Sequence, residues 1–190
     1  MSWSLILTIS MTMIVVGLLP SLSCVKAIIV NNTDFSVNVL NNWAYQQSKP
    51  FAEAFGGLWL DLIPTEFRNL LVDTSKNLTM EVAQNRGAYS IISLDSNYPF
   101  RNVPLEIYTE YNINLSPVKI FSKENTTIDG EPAVKIHRNA RSNETNLEVV
   151  DYYVVHDSKA YTLQYVANVK DFQKYLQQFE QMVKTFKFAK

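Results

Sequence analysis

Near the C-terminus Phe172, Tyr175, Leu176, Phe179, Met182, Val183 and Phe186 recur at steps of three and four, the period of a helix with one apolar stripe. Asn168 stands where an N-cap belongs, and Asp171, three residues on, can bond back to its amide. The pattern predicts a long helix from there to about Thr185. Each stripe residue gains roughly 1.5 to 3 kcal/mol when fully buried, while ordering each backbone unit costs about 1 to 2 kcal/mol. The two sums are comparable, so the helix needs a surface to dock on, and the strands before it are expected to supply a sheet.

Those strands are read from period-two alternation. "FSVNV" at 35 to 39 sets Phe35, Val37 and Val39 on one face, and Trp43 after the "NN" turn is expected to fold back into the core. "GGLWLDLIP" at 56 to 64 and "AYSIISL" at 88 to 94 read as further strands. Between them "PTEFRNLL" predicts a short helix with Thr65 as N-cap and Phe67, Leu70 and Leu71 inward. Residues 72 to 87 fit no single template. "VPLEIYTEYNI" predicts a helix opened by Pro104, with Leu105, Tyr108, Ile107 and Tyr111 inward.

The C-terminal half predicts two hairpins. "VKIFSKENTTI" and "PAVKIH" flank "DGE", where Asp129 and Gly130 suit the positive φ of a two-residue turn. "LEVVDYYVVH" and "KAYTLQYV" meet through Asp157 and Ser158. The first of these carries Val149, Tyr153 and Val155 on one side and Val150, Tyr152 and Val154 on the other, as a central strand covered on both faces would.

The opening segment changes the picture. From Trp3 to Leu19 no side chain is charged, and Pro20 and a serine-rich stretch follow before Lys26. This is the pattern of an export signal. Ser21 and Ser23 suit cleavage before Cys24, and Val25 and Ala27 suit cleavage before Ile28. The only positive charge ahead of the apolar run is the terminal amine. A run of about 18 apolar residues also suffices for an uncleaved membrane anchor, and a buried core helix is the third reading. Residues 1–27 are therefore assigned to a signal peptide or N-terminal anchor and 28–190 to one domain.

Composition supports a single packed body: 47% of the 190 residues are apolar, 12% aromatic and 18% charged, enough to fill a core. A net charge of −1 argues against a general nucleic-acid binder, which needs a basic surface. Cys24 is the only cysteine, so no intrachain disulfide forms. Its position invites lipidation, although Ser21 and Leu22 invert the residue order of a lipobox. Five sequons, at Asn31, Asn77, Asn114, Asn125 and Asn143, are candidate N-glycosylation sites of an exported glycoprotein; Asn and Thr are also ordinary turn residues, and Pro117 directly after Ser116 weakens the Asn114 sequon.

Candidate chemistry is sparse. His137 and His156 are the only histidines, and with Asp157 they are weak candidates for a metal site should the two hairpins bring them together. Asp129 and Glu131 are expected to splay toward solvent as turn residues. No G-x-S-x-G, H-E-x-x-H or P-loop motif occurs in the sequence, so no catalytic or cofactor-binding residue is assigned. Tyr98 and Phe100 in "SNYPFRNVP" are a candidate contact patch for a partner, or else cap the core.

"FSVNVLNNWAY" after an export signal, "TIDGEPAVKI", "YYVVHDSKAYTLQYVAN" and "DFQKYLQQFEQMVKTFKF" together resemble the PsbP-like family, most closely the exported PsbP-like proteins of ammonia-oxidising archaea. The resemblance covers most of the chain after residue 27 and is strongest from Thr127 onward. It implies an α+β fold in which an antiparallel sheet is sandwiched between helices, with the C-terminal helix packed on the sheet. It also implies a non-catalytic accessory or interaction module for a membrane or cell-surface assembly, outside the cell or on the outer face of the cytoplasmic membrane. Calcium enters only by analogy with photosynthetic relatives, whose basic N-terminal docking segment has no counterpart in "VKAIIVNNTDF". The alternative is a carrier or enzyme with a small-ligand or metal pocket between sheet and helix.

Overall fold

The computed structural model describes residues 27–48, 59–66, 88–95, 101–115, 117–141 and 144–190. The predicted signal or anchor with Cys24, Asn77, Asn143, Tyr98 and Phe100, and the inward residues of the short helix after Thr65 lie outside the described residues.

Ten strands and two helices are described. β1 (Ala27–Asn31), β2 (Phe35–Leu40) and β10 (Lys187–Phe188) form a small sheet in the order β1-β2-β10. β3 (Trp43–Ser48), β4 (Trp59–Pro64), β5 (Ala88–Asp95), β6 (Ile120–Ile128), β7 (Glu131–Arg141), β8 (Glu144–His156) and β9 (Lys159–Asn168) form a seven-stranded sheet in the order β3-β4-β5-β9-β8-β7-β6. Every pairing is antiparallel.

Local chemistry explains the turns. Asn32 Oδ1 accepts from the amides of Asp34 and Phe35, both at 2.8 Å, which reverses the chain between β1 and β2. Asp129 and Gly130 have φ of 50° and 88°, and Asp157 and Ser158 have 46° and 66°. Both hairpins thus close through two left-handed residues, the twist that matches the flanking strands.

β8 is buried on both sides, as its two apolar registers require. Val150, Tyr152 and Val154 join Tyr161, Leu163 and Tyr165 in the larger core, while Tyr153 joins Val134, Ile136 and Ala160 on the opposite face. The first helix, α1 (Leu105–Asn114), packs on that second face through Tyr108. The second, α2 (Phe172–Val183), packs on the first through Phe172, Tyr175, Phe179, Met182 and Val183.

Three sequence expectations are corrected. α2 has 12 residues, about 18 Å at the α-helical rise, and is shorter than the stripe suggests. Asn168 does not cap it: its side chain accepts from the Lys170 amide at 3.0 Å and its carbonyl from the Asp171 amide at 2.9 Å. That local turn ends β9 and leaves Asp171 as the N-cap. In α1, Ile107 and Tyr111 are exposed rather than inward, because Tyr108 and Thr109 take the side facing the sheet. Thr65 donates its hydroxyl to the Asn42 carbonyl at 3.1 Å, tying β4 to the β2–β3 turn; the helix it is expected to cap lies outside the described residues.

Candidate functional site

The two histidines do not meet. β7 and β8 pair with His137 opposite Val150 and Ala133 opposite Val154, so Glu131 lies beside His156, and six residues of strand, roughly 20 Å, separate the rings. His137 Nε2 lies 2.8 Å from Glu148 Oε2, and its ring stacks on Phe172 at 5.1 Å between centroids. His156 Nδ1 lies 2.9 Å from Glu131 Oε1 and Nε2 lies 3.4 Å from Asp157 Oδ2, and its ring stacks on Phe188 at 4.1 Å. Each histidine thus fastens one end of the α2–β10 segment to the sheet. Among the described residues no three His, Cys, Asp or Glu side chains converge to hold a metal.

Asp129 and Glu131 remain solvent-accessible turn residues, and each also has a partner. Asp129 accepts from Lys187 Nζ at 2.6 Å and from the Phe188 amide at 3.0 Å, so the β6–β7 turn clamps the C-terminal strand. The Lys187 hydrogen bond, together with the Phe188 amide, outweighs burial and holds the Asp129 carboxyl below its ordinary value.

Beside this clamp a groove of about 510 Å³ runs between the β6–β7 hairpin and the C-terminal end of α2. Glu124, Thr126 and Ile128 line one side, and Glu180, Val183 and Lys184 the other, with Lys135 and Tyr152 also lining it. Lys135 Nζ lies 2.6 Å from Glu180 Oε1 and 5.7 Å from the centre of the Tyr152 ring. Burial works against the Lys135 charge, but the Glu180 hydrogen bond prevails and raises its pKa above the ordinary value. Calcium needs six to eight oxygen ligands. Here Asp129 and Glu180 are each held by a lysine, so the groove does not fit that ion.

A second polar cluster lies on the α1 side of the sheet. Asp151, fully buried, accepts from Arg138 Nε and from Gln164 Nε2, each at 2.7 Å. Tyr108 Oη and Thr162 Oγ1 are 2.6 Å apart. Burial, then the Asp151 charge, pushes the Tyr153 phenol far above its ordinary range. These groups satisfy one another, as buried polar groups must, which makes the cluster a fastening of the sheet's interior.

On its outer side α1 carries Ile107, Tyr111 and Leu115 at steps of four, 55%, 46% and 61% exposed. The amphipathic reading missed this stripe because it assigned Ile107 and Tyr111 to the core. Sequence reading also missed Lys135, Tyr152 and Glu180, which meet through the β7–β8 register and the packing of α2 on the sheet. Asp151 did leave a signal, a lone acid inside "VVDYYVV". Of the candidate glycosylation sites, Asn31, Asn114 and Asn125 are exposed.

Comparison with known proteins fits this architecture. A family described as PsbP-like protein matches residues 22–188. The chain belongs to the PsbP-like family. The solution structure of the cyanobacterial PsbP protein CyanoP from Synechocystis is similar at a TM-score of 0.51 and 9% identity, covering 92% of this chain and 99% of that one. It shares the fold of this PsbP-like domain. A crystal structure of a protein of unknown function from Pseudomonas aeruginosa matches at a TM-score of 0.47 and 11% identity, over 84% of this chain and 94% of that one. LpqN, involved in cell envelope biogenesis of Mycobacterium tuberculosis, matches at 0.46 and 10%, over 87% and 91%. No curated protein matches the chain.

Proposed function

We propose that this PsbP-like chain is an exported, non-catalytic accessory module that docks onto a protein assembly at the cell surface or the outer face of the cytoplasmic membrane. The observation that carries the reading is the outer stripe of α1. Ile107, Tyr111 and Leu115 present apolar surface on a helix whose inner side is already occupied by Tyr108 against Tyr153, and contiguous exposed apolar surface of this kind marks interaction sites. The uncharged run from Trp3 to Leu19 and the exposed sequons Asn31, Asn114 and Asn125 support export. In the same reading the seven-stranded sheet is the middle layer of a helix–sheet–helix sandwich, with α1 and α2 on opposite faces.

The test is affinity capture from the native membrane with cross-linking, comparing the natural chain with an Ile107→Glu, Leu115→Glu double variant. The expected result is one stoichiometric membrane or surface protein, lost in the variant while its thermal unfolding is unchanged. Capture of the same protein by both chains would remove the α1 stripe as the docking surface.

A further inference from the structure

β6 is the outer edge of the seven-stranded sheet, and among the described residues no strand lies on its far side. An edge strand leaves a row of backbone groups unpaired, and proteins ordinarily blunt it with charged side chains, proline, bulges or a cover; on β6 Lys123 and Glu124 supply charges of opposite sign, which select a strand of complementary charge and turn others away. β6 has a bulge only between Ile120 and Ser122, and the sequence from Ile120 to Ile128 contains no proline. Of its nine residues only Ile128 is buried. Lys123, Glu124 and Asn125 are exposed in succession, so both faces and the edge are open at mid-strand. The groove beside α2 runs along one face of this same strand and is lined by Glu124, Thr126 and Ile128.

We propose that β6 accepts an extended segment of a partner protein as an eighth strand, with alternate side chains of that segment entering the groove. Strand addition draws affinity from backbone hydrogen bonds and specificity from the side chains that alternate between faces. Here charge sets the pattern. Residues opposite one another share a face, and opposite charges there are favourable. The residue opposite Glu124 lies on the groove side and is basic; its neighbour, opposite Lys123, lies on the α1 side and is acidic. On its inner side Glu124 faces Lys135, but that lysine is engaged by Glu180 at 2.6 Å. The occupant is therefore a polar strand with a basic and an acidic residue at consecutive positions. Two-fold edge pairing with a second copy of this chain centred on Glu124 sets that carboxylate against itself, and centring on Lys123 sets lysine against lysine, so both of those registers are unfavourable for a dimer.

Asn125 pairs with Val134 and so lies on the α1 side. The test uses the full chain as isolated, in detergent micelles, with any glycan at Asn125 left in place. The probe is a fluorescent, end-blocked ten-residue peptide of Thr and Val with Lys and Glu, in that order, at the two central positions. Saturable binding is expected, about tenfold weaker when the two charges are exchanged and lost when alternate peptide amides are N-methylated. On binding, alternate amides between Ser122 and Ile128 should become protected from hydrogen exchange. The Lys123→Glu, Glu124→Lys double variant should prefer the exchanged peptide, and the Ile107→Glu, Leu115→Glu variant should bind as the natural chain does. Absence of saturable binding, equal binding of both charge orders, protection confined to another element, or dimerisation through β6 in place of peptide binding would each overturn the proposal.

Discussion

The two faces of the seven-stranded sheet are closed by different physics. On the α2 side the contact is aromatic and dry: Phe179 stacks on Tyr165 at 5.4 Å and sits 6.1 Å from Tyr152, and Phe186 stacks on Phe35 at 5.0 Å. Burial, with Asp34 and Asp157 nearby, pushes the Tyr161 phenol on this side up to about 12, so these rings stay uncharged across the physiological range. On the α1 side the contact is polar at its centre, with Asp151, Arg138 and Gln164 bonded beneath a helix that buries only Tyr108 and Thr109. Dry packing tolerates small errors of geometry, whereas a buried charge holds only while its partners are complete. The face closed by less apolar contact is also the one whose helix keeps an apolar outer side.

The largest expected effects test that contrast directly. Phe179→Ala should destabilise by about 3 to 5 kcal/mol, through lost transfer energy and the cavity left behind, as read by equilibrium denaturation; a shift under about 1 kcal/mol would mean that the stripe does not carry the α2 contact. Asp151→Ala should cost a similar ~3 to 5 kcal/mol for a different reason, since it strands the Arg138 guanidinium in the interior. Replacing Asp151 and Arg138 together by Leu and Met should recover most of the loss, and failure to recover would show that the cluster works through shape instead of charge.

Smaller effects sharpen the comparison at the margins. Asp129→Asn should cost at most about 1 kcal/mol at neutral pH, because the Lys187 pair is largely solvated. The carboxyl is held below its ordinary value of 3.8, so its contribution is present above that pH and fades as pH falls through the lowered value. The variant should flatten the acid side of the stability profile, measured by thermal melts between roughly pH 2 and 6. Thr109→Val is expected to be neutral or stabilising by up to about 1 kcal/mol, since among the described residues the buried Thr109 hydroxyl has no hydrogen-bond partner. A clear loss in that variant would show that the hydroxyl is bonded in solution.

Much of the fold was legible because local rules fix it. Alternation placed β2, β4, β5 and β7 to β9, the Asp-Gly and Asp-Ser pairs placed both hairpin turns, and the spacing of Phe172, Tyr175, Phe179 and Met182 placed α2. The ends of helices were less legible. Asn168 offered a cap by residue type, but its side chain was used in a local turn, and one residue can satisfy only one of two competing geometries. The inner and outer sides of α1 were confused because Tyr108, Ile107 and Tyr111 are all apolar enough to be buried.

What the sequence alone determined is most of the strands of the large sheet, the two helices, the two tight hairpin turns and the membership of the chain in the PsbP-like family, since all of these follow from neighbours a few positions apart. Only the tertiary structure decided which residues share a place. It separated His137 from His156, gathered Asp151 with Arg138 and Gln164, brought Lys135 against Glu180, and left β6 at the edge. Each of those outcomes depends on strand order and register, where a one-residue slip exchanges the two faces, and no local pattern in the chain encodes that choice.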